Sequence, residues 1–515
     1  MGNFSAIEKD RLEILWRLRG EILGVEGPAG QDGADGLDGQ PGPPGDTGPV
    51  GDGLDIYVTN DAEMVAALAE LNTRGGGNIH MADGVYQQGI VVNSDNVHII
   101  GSGKTEIAPP PATDGILFNV VNNCSVDRVT VRDVTNPGDD ESDGIIIRGG
   151  SNCSVTRCHI LRCDDAGISV QYDIYSYFAL SDADKKDYDL TYELDGHHHL
   201  VSDNIIEDTA EGSGIEMMRC NDTLVTNNII NGASQHGIRV LGVNGCIVSD
   251  NQVHNAGAGA DWYGGISIQG YGDVAPIGIT KYIMDTLIDG NRVKSYQPIT
   301  IFNGADVVQV SNNILENNQD HTGYVIRTIY VDDHLSPFDY DLRNMRICNN
   351  MLIGGRTSIV LQQDTVGVEI YDNLFYDFNY IGINVDANTW VSKPVTISDL
   401  YIKNNKFKPR NDATQDPKHG VYAIEAGAVA NVFGNDHLPD AGYTYSDYTE
   451  AASGVINELF YSDAPSNGLE YVRKDEAWAV ATGGGGGGGD NLGNIDCGDA
   501  DTDNSDGYLD FGTVV

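Results

Sequence analysis

Pairs of branched apolar residues separated by a single residue recur along the chain: Ile145/Ile147, Ile168/Val170, Ile215/Met217, Ile238/Val240, Ile266/Ile268, Ile299/Ile301 and Ile383/Val385. A period of two puts each pair on one face of a short strand, and pairs from successive strands then stack into one dry column. These strands open on Gly144, Gly167, Gly214, Gly237, Gly265 and Gly382, with Pro298 and Ser358 in equivalent places. A second register runs alongside. Asn204, Asn228, Asn251, Asn291, Asn313, Asn350, Asn373 and Asn405 each close a polar triplet such as "TNN" or "SDN", at steps of 22 to 24 residues or, with an inserted loop, 32 to 40. Such a repeat describes a chain wound in coils, each turning where asparagine tolerates left-handed geometry and where stacked amides bond along the axis. The predicted class is all-β, a parallel β-helix over residues 54–440. A solenoid of amphipathic helices does not fit a period of two.

The ends read differently. From Gly24 to Val50 every third residue is glycine for nine triplets, with prolines in several remaining slots. That spacing is what a collagen triple helix requires, because only glycine fits where three polyproline-II strands meet, so residues 24–53 predict a homotrimer. Before it, in residues 1–23, Phe4, Ile7, Ile14 and Leu18 follow a loose heptad suited to a short trimerising or docking helix. An amphipathic helix is expected from about Ala62 to Leu71, ahead of a "GGG" break. Residues 441–482, with scattered aromatics, are expected to cap the last coil, and Gly483–Gly489 tether an acidic tail that completes 483–515. In that tail Asp499, Asp501, Asp503 and Asp510 stand at positions 1, 3, 5 and 12 of a calcium loop, but Asn504 replaces the loop glycine, and a solvated acidic tail is the favoured reading.

The helix, "GGG" and "ADGVY" resemble the N-terminal cap of the pectate-lyase-like (pectin-lyase-like) right-handed parallel β-helices, a group that includes many phage tailspikes; the likeness spans about Leu54 to Asp440. It implies a phage setting: a fibre or tailspike assembled in the host cytoplasm, standing on the virion, joined to other virion proteins through its N-terminus and binding host surface polysaccharide. Three identical arms would add avidity for a repetitive glycan.

Charge narrows the partners. Seventy-six acidic against 30 basic residues give a net charge of −46, which repels nucleic acid and anionic lipid over most of the surface. The N-terminal segment lacks an apolar signal-peptide core and no 18 apolar residues run together, so neither Sec export nor membrane insertion is expected. Eight cysteines at irregular intervals match no zinc or disulfide pattern, and Cys124, Cys153 and Cys246 are expected in the core.

With Ile145 and Ile147 facing inward, Asp143, Asp164, Asp165, Ser169, Glu216, His236 and Arg239 are expected on one outward face. Rungs about 4.8 Å apart bring carboxylates within the roughly 5–9.5 Å that glycoside hydrolysis needs, and crowding raises one pKa to make a proton donor. Catalytic candidates are Asp143, Asp164, Asp165 and Glu216; substrate-binding candidates are His236, Arg239 and, in the longest insertion, Tyr172, Tyr175, Tyr177, Tyr188 and Tyr192. "SDG" at Asp143 and "DDAG" at Asp164 and Asp165 resemble the Asn-Thr-Asp and Asp-Asp motifs of polygalacturonases; Gly212-Ser213-Gly214 stands where that family has Gly-His-Gly, and no Arg-x-Lys follows. His197, His198 and His199 lack a partner motif, so no metal is assigned. Two functions stay open: a receptor-binding structural fibre, and a polysaccharide depolymerase, hydrolase or lyase. Aspartate before glycine is also ordinary turn chemistry.

Overall fold

The structure, a computed structural model, describes residues 54–136, 142–171, 196–257, 263–270, 283–302, 305–318, 323–329, 342–379, 381–385 and 397–409, and shorter stretches from 422 to 480. The expected N-terminal helix, the collagen-like stretch, the five insertion tyrosines and the aspartates of the tail lie outside the described residues. The chain divides into two units, 1–461 and 462–515.

In the first unit, thirteen strands from Ile90–Val92 to Thr449–Glu450 pair in sequence order along one side of the coils; Gly196–His197 pairs with Cys220–Asn221, and the remaining strands form a 27-stranded sheet. Their pairings are parallel, as in Ser169 opposite Ile146 and Glu216. Ile116, Ile145, Ile168, Ile215, Ile238, Ile266, Ile299, Ile326, Ile359 and Ile383 stand in register, so the predicted column is an unbroken stack of isoleucines. All of them are buried.

Where a glycine opens one of these strands, as at Gly144, Gly167, Gly214, Gly237 and Gly265, it has a steric reason. A Cβ on Gly144 would come 2.4 Å from the carbonyl oxygen of Gly167, and one on Gly237 would come 2.5 Å from that of Gly265. Coil-to-coil approach, rather than an unusual backbone angle, excludes a side chain there.

The asparagine register divides its work between two residues. Asp203, Asn227, Asp250, Asn312, Asn349, Asp372 and Asn404 take the left-handed conformation, and the asparagine after each turns inward. This corrects the expectation that the ladder asparagines themselves are left-handed. Asn251 shows the pattern: its Nδ2 donates to the Val225 carbonyl and to Asn291 Oδ1, both at 3.0 Å, while its Oδ1 accepts from the N–H and Nδ2 of Asn228 at 2.9 Å. The ladder runs on to Asn435. Each amide bonds above and below, which satisfies polar groups buried at the corner of the coil.

The capping helix is longer than its apolar pattern suggested, Asp61–Arg74. Asn60 accepts the Glu63 N–H, Glu63 accepts the Thr59 N–H, and Gly75 closes the helix at φ 82°. Met64, Ala67 and Leu71 are buried against the first coil. Cys124, Cys153 and Cys246 are buried, as expected, and the seven described cysteines are all free thiols. Parallel pairing continues past residue 440: Thr449–Glu450 pairs with Tyr422–Ile424, and Val455–Glu458 with Ala428–Phe433. The coil therefore reaches into the segment expected as its cap. In the second unit, Tyr471–Lys474 and Ala477–Val480 form an antiparallel hairpin.

Candidate functional site

An acidic cluster sits where the thirteen-stranded sheet begins its third to fifth coils. Asp143 precedes Gly144 at the head of Ile145–Arg148, Asp165 occupies the turn before Ile168–Gln171, and Glu216 is an outward position of Ile215–Met218. Asp143 is 6% exposed and Glu216 8% exposed. Burial raises the Asp143 carboxyl well above the ordinary 3.8, and the charges of Asp165, Glu216 and Asp114 raise it further; the Ala166 N–H it accepts at 2.9 Å opposes them. The protonated form of Asp143 is thereby favoured, with Asp165, Glu216 and Asp114 close enough for their charges to act on it.

Asp114 is the member that the sequence reading missed. Its Oδ1 accepts the Asp143 N–H at 3.1 Å, and burial raises its own pKa. The signal was present, since Asp114-Gly115-Ile116 repeats Asp143-Gly144-Ile145 one coil earlier. Gly212 also has a function here, because a Cβ on it would lie 2.2 Å from Asp165 Oδ1.

Glu216 faces Arg239 on the next coil, Nη1 to Oε1 at 3.0 Å, and the other amino group of Arg239 donates to Gln269 Oε1 at 3.1 Å. Asp164 is turned elsewhere: its carboxylate accepts the Asn136 N–H, and it is not among the charges that load Asp143. His236 is buried. Its Nδ1 accepts the Gly264 N–H at 3.1 Å and its ring stands edge-on to Tyr263. Burial, aided by Arg239, lowers its pKa to about 3, so it is a neutral turn residue. Of the expected face, Asp143, Asp165, Glu216 and Arg239 come together, while Asp164 and His236 serve the backbone.

The three consecutive histidines separate as well. His199 is buried with its pKa lowered to about 3 and its Nδ1 accepting the Cys153 N–H, whereas His198 lies 3.5 Å from Asp222. Among the described residues, no three His, Cys, Asp or Glu side chains are placed to hold a metal ion. No described helix is long and apolar enough to cross a membrane. Chemically, the cluster offers a buried carboxyl whose protonated form is favoured beside acidic side chains on adjacent rungs, the residue types of an acid/base pair for a glycosidic bond.

A family model described as a right-handed β-helix region matches residues 78–182 and 188–275. Among solved structures, the chain is similar to a tailspike protein of E. coli bacteriophage HK620 in complex with a pentasaccharide, at 13% identity over 78% of this chain and 74% of that one, TM-score 0.53. It is also similar to the A-module of the mannuronan C-5 epimerase AlgE4 of Azotobacter vinelandii, at 14% identity over 80% and 97%, TM-score 0.43. The periplasmic alginate epimerase AlgG gives 13% identity over 79% and 84%, TM-score 0.43. No curated protein matches the chain in sequence. At these identities the likeness is one of fold, and with the stacked coils it makes the main body of the chain a right-handed parallel β-helix.

Proposed function

We propose that the protein is a homotrimeric virion fibre of the tailspike type, assembled in the host cytoplasm, which binds host surface polysaccharide and hydrolyses it at the acidic cluster. The observation that carries this reading is the Asp143 carboxyl, 6% exposed, whose protonated form is favoured by burial first and then by the charges of Asp165, Glu216 and Asp114. In the proposed reaction Asp143 gives its proton to the glycosidic oxygen as the bond to the anomeric carbon breaks. Water adds to that carbon and yields a proton to a neighbouring carboxylate. Asp165, whose charge acts on Asp143 more strongly than those of Glu216 and Asp114, takes that second role. The nine Gly-X-Y triplets support the trimer, and a tailspike of the same fold with a bound pentasaccharide supports the ligand class.

A second reading, an adhesin that binds without cleaving, is favoured by the Ala166 N–H on Asp143, which gives that carboxyl a purely structural use. One assay separates them. The full chain is incubated with host surface polysaccharide and followed for new reducing ends. Cleavage that disappears in Asp143→Asn and Asp165→Asn while binding persists supports the hydrolase; binding without cleavage in the unaltered chain leaves the adhesin.

A further inference from the structure

The outward face of the thirteen-stranded sheet continues past the acids toward the first coil. In register, Val91, Leu117, Ile146, Ser169, Glu216 and Arg239 form one outward column. Its chemistry changes along the way, polar from Ser169 onward and aliphatic before it. Val91 is 45% exposed and Leu117 half-buried, with Ile146 buried next to them. Aliphatic groups open to water beside convergent polar groups are the kind of surface on which the C–H face of a sugar packs.

Two edges bound this floor. On the side where the strands begin stand Asp114 and Asp143. On the side where they end stand Asn93 and Asn119, two residues beyond Val91 and Leu117, and Asn119 Nδ2 donates to Asn93 Oδ1 at 2.9 Å. Among the described residues nothing else bonds to Asn119 Oδ1 or Asn93 Nδ2, so this amide pair keeps one acceptor and one donor. Arg148 comes next in the same row, in register with Asn119, and its charge acts on Asp114.

Val120 adds an apolar group at a strained position. Its φ of 53° lies in the left-handed region, where a β-branched residue is an outlier, and it is 50% exposed. The same place in other coils, just after the last outward residue of the strand, is held by Gly149 and Gly242, at φ 61° and 59°. A conformation suited to glycine is thus filled by a valine whose side chain half faces water. Strain kept where the core gains nothing from it is characteristic of ligand contacts.

We infer that Val91, Leu117, Val120, Asn93 and Asn119 form a subsite for an N-acetylated hexosamine on the N-terminal side of the acids. The inference rests on the polysaccharide-binding reading above and names the sugar class taken there. An acetamido group carries a methyl, an N–H donor and a carbonyl acceptor in one planar unit. The methyl suits the aliphatic floor, the N–H suits Asn119 Oδ1 and the carbonyl suits Asn93 Nδ2. An anionic sugar does not fit, because Asp114, Asp143, Asp165 and Glu216 gather beside this floor in a chain of net charge −46.

The test uses the full chain and the methyl β-glycosides of N-acetylglucosamine, N-acetylgalactosamine, glucose and glucuronic acid, with affinity and proton contacts read by saturation-transfer NMR. At least one acetamido probe is expected to bind about fourfold or more tighter than the glucoside, the share of one buried methyl group, with its acetyl methyl receiving the largest saturation. Val120→Gly, which relieves the strained angle as Gly149 and Gly242 do, and Leu117→Asn are expected to remove that preference. Val366→Asn, on the 27-stranded sheet, is expected to keep it. Equal affinity for acetamido probes and glucoside, no binding of any probe, a glucuronide that binds as tightly, or a preference that survives Val120→Gly overturns the subsite. Val120→Gly is expected to fold with an unchanged or raised thermal midpoint, so the test stands even where Leu117→Asn unfolds. New reducing ends from host polysaccharide judge the hydrolase separately. A chain that cleaves nothing yet prefers the acetamido probe keeps the subsite and loses the hydrolase, and a chain that cleaves without that preference does the reverse.

Discussion

Arg239 binds across three rungs: Nη1 donates to Glu216 Oε1 on the coil before it at 3.0 Å, and Nη2 to Gln269 Oε1 on the coil after it at 3.1 Å. The Glu216 side chain retains only 11% of its exposure and the Arg239 side chain 24%. Replacing Arg239 with methionine keeps the stem's packing but leaves Glu216 without this guanidinium in a low-dielectric site. The expected loss is about 1–3 kcal/mol, below the cost of breaking a fully buried pair because solvent still screens this one. Chemical denaturation measures it, and an unchanged midpoint contradicts the account.

Asp143→Asn separates charge from shape. An amide still accepts the Ala166 N–H but carries neither the acidic proton nor the repulsion from Asp165, Glu216 and Asp114. Cleavage is expected to fall by at least roughly 100-fold, the usual contribution of a general acid, with stability unchanged or increased. A variant that unfolds shows instead that the carboxyl is needed for the fold.

The two buried histidines and Asp143 make opposite contributions to pH dependence. His199 and His236, held near 3, stay neutral in the folded chain, while the unfolded chain protonates them below about 6.5. The unfolded state then binds more protons, so their contribution is lost as pH falls from about 6.5 toward 3. Asp143 is raised, so the folded state keeps a proton that the unfolded state releases above 3.8, and stability from this group is lost as pH rises through its folded value. Denaturation midpoints should decline below pH 6.5, with a shallower decline in His236→Gln. For the proposed hydrolase, activity should fall on the alkaline side as Asp143 ionises.

The ladder offers a test of the fold itself. Asn251→Ala removes four hydrogen bonds to Val225, Asn291 and Asn228 on the two neighbouring coils and takes away the side-chain acceptor of the buried Asn228 N–H. A loss of about 2–4 kcal/mol is expected, more than one ordinary hydrogen bond contributes, because the stranded partners keep their desolvation cost. The measurement is the thermal midpoint against that of an exposed turn variant, Asn227→Asp, which is expected to change little.

Much of the architecture was legible because local rules generate it. A period of two makes Ile145 and Ile147 inward-facing whatever the rest of the chain does, and a repeated Asn in Asn228, Asn251 and Asn291 marks the corner of each coil. The Gly-Ile openings were legible as a pattern but not as a cause. Only stacked coils show that a Cβ on Gly144 would strike the Gly167 carbonyl.

The site was legible by half. Alternation placed Glu216 and Arg239 outward, but the adjacent Asp164 and Asp165 look alike in sequence and serve different partners, since the turn directs one carboxylate to the Asn136 N–H and the other toward Asp143. His236 looked like a ligand-facing residue and is buried with its ring on a backbone N–H, and Asp114 went unnoticed until its coil stacked beneath that of Asp143. Periodicity by itself determined which side chains enter the core and how often the chain turns, because those depend on neighbours a few residues away. Tertiary structure alone decided which acids share one buried cluster, because that depends on strands separated by more than twenty residues pairing side by side.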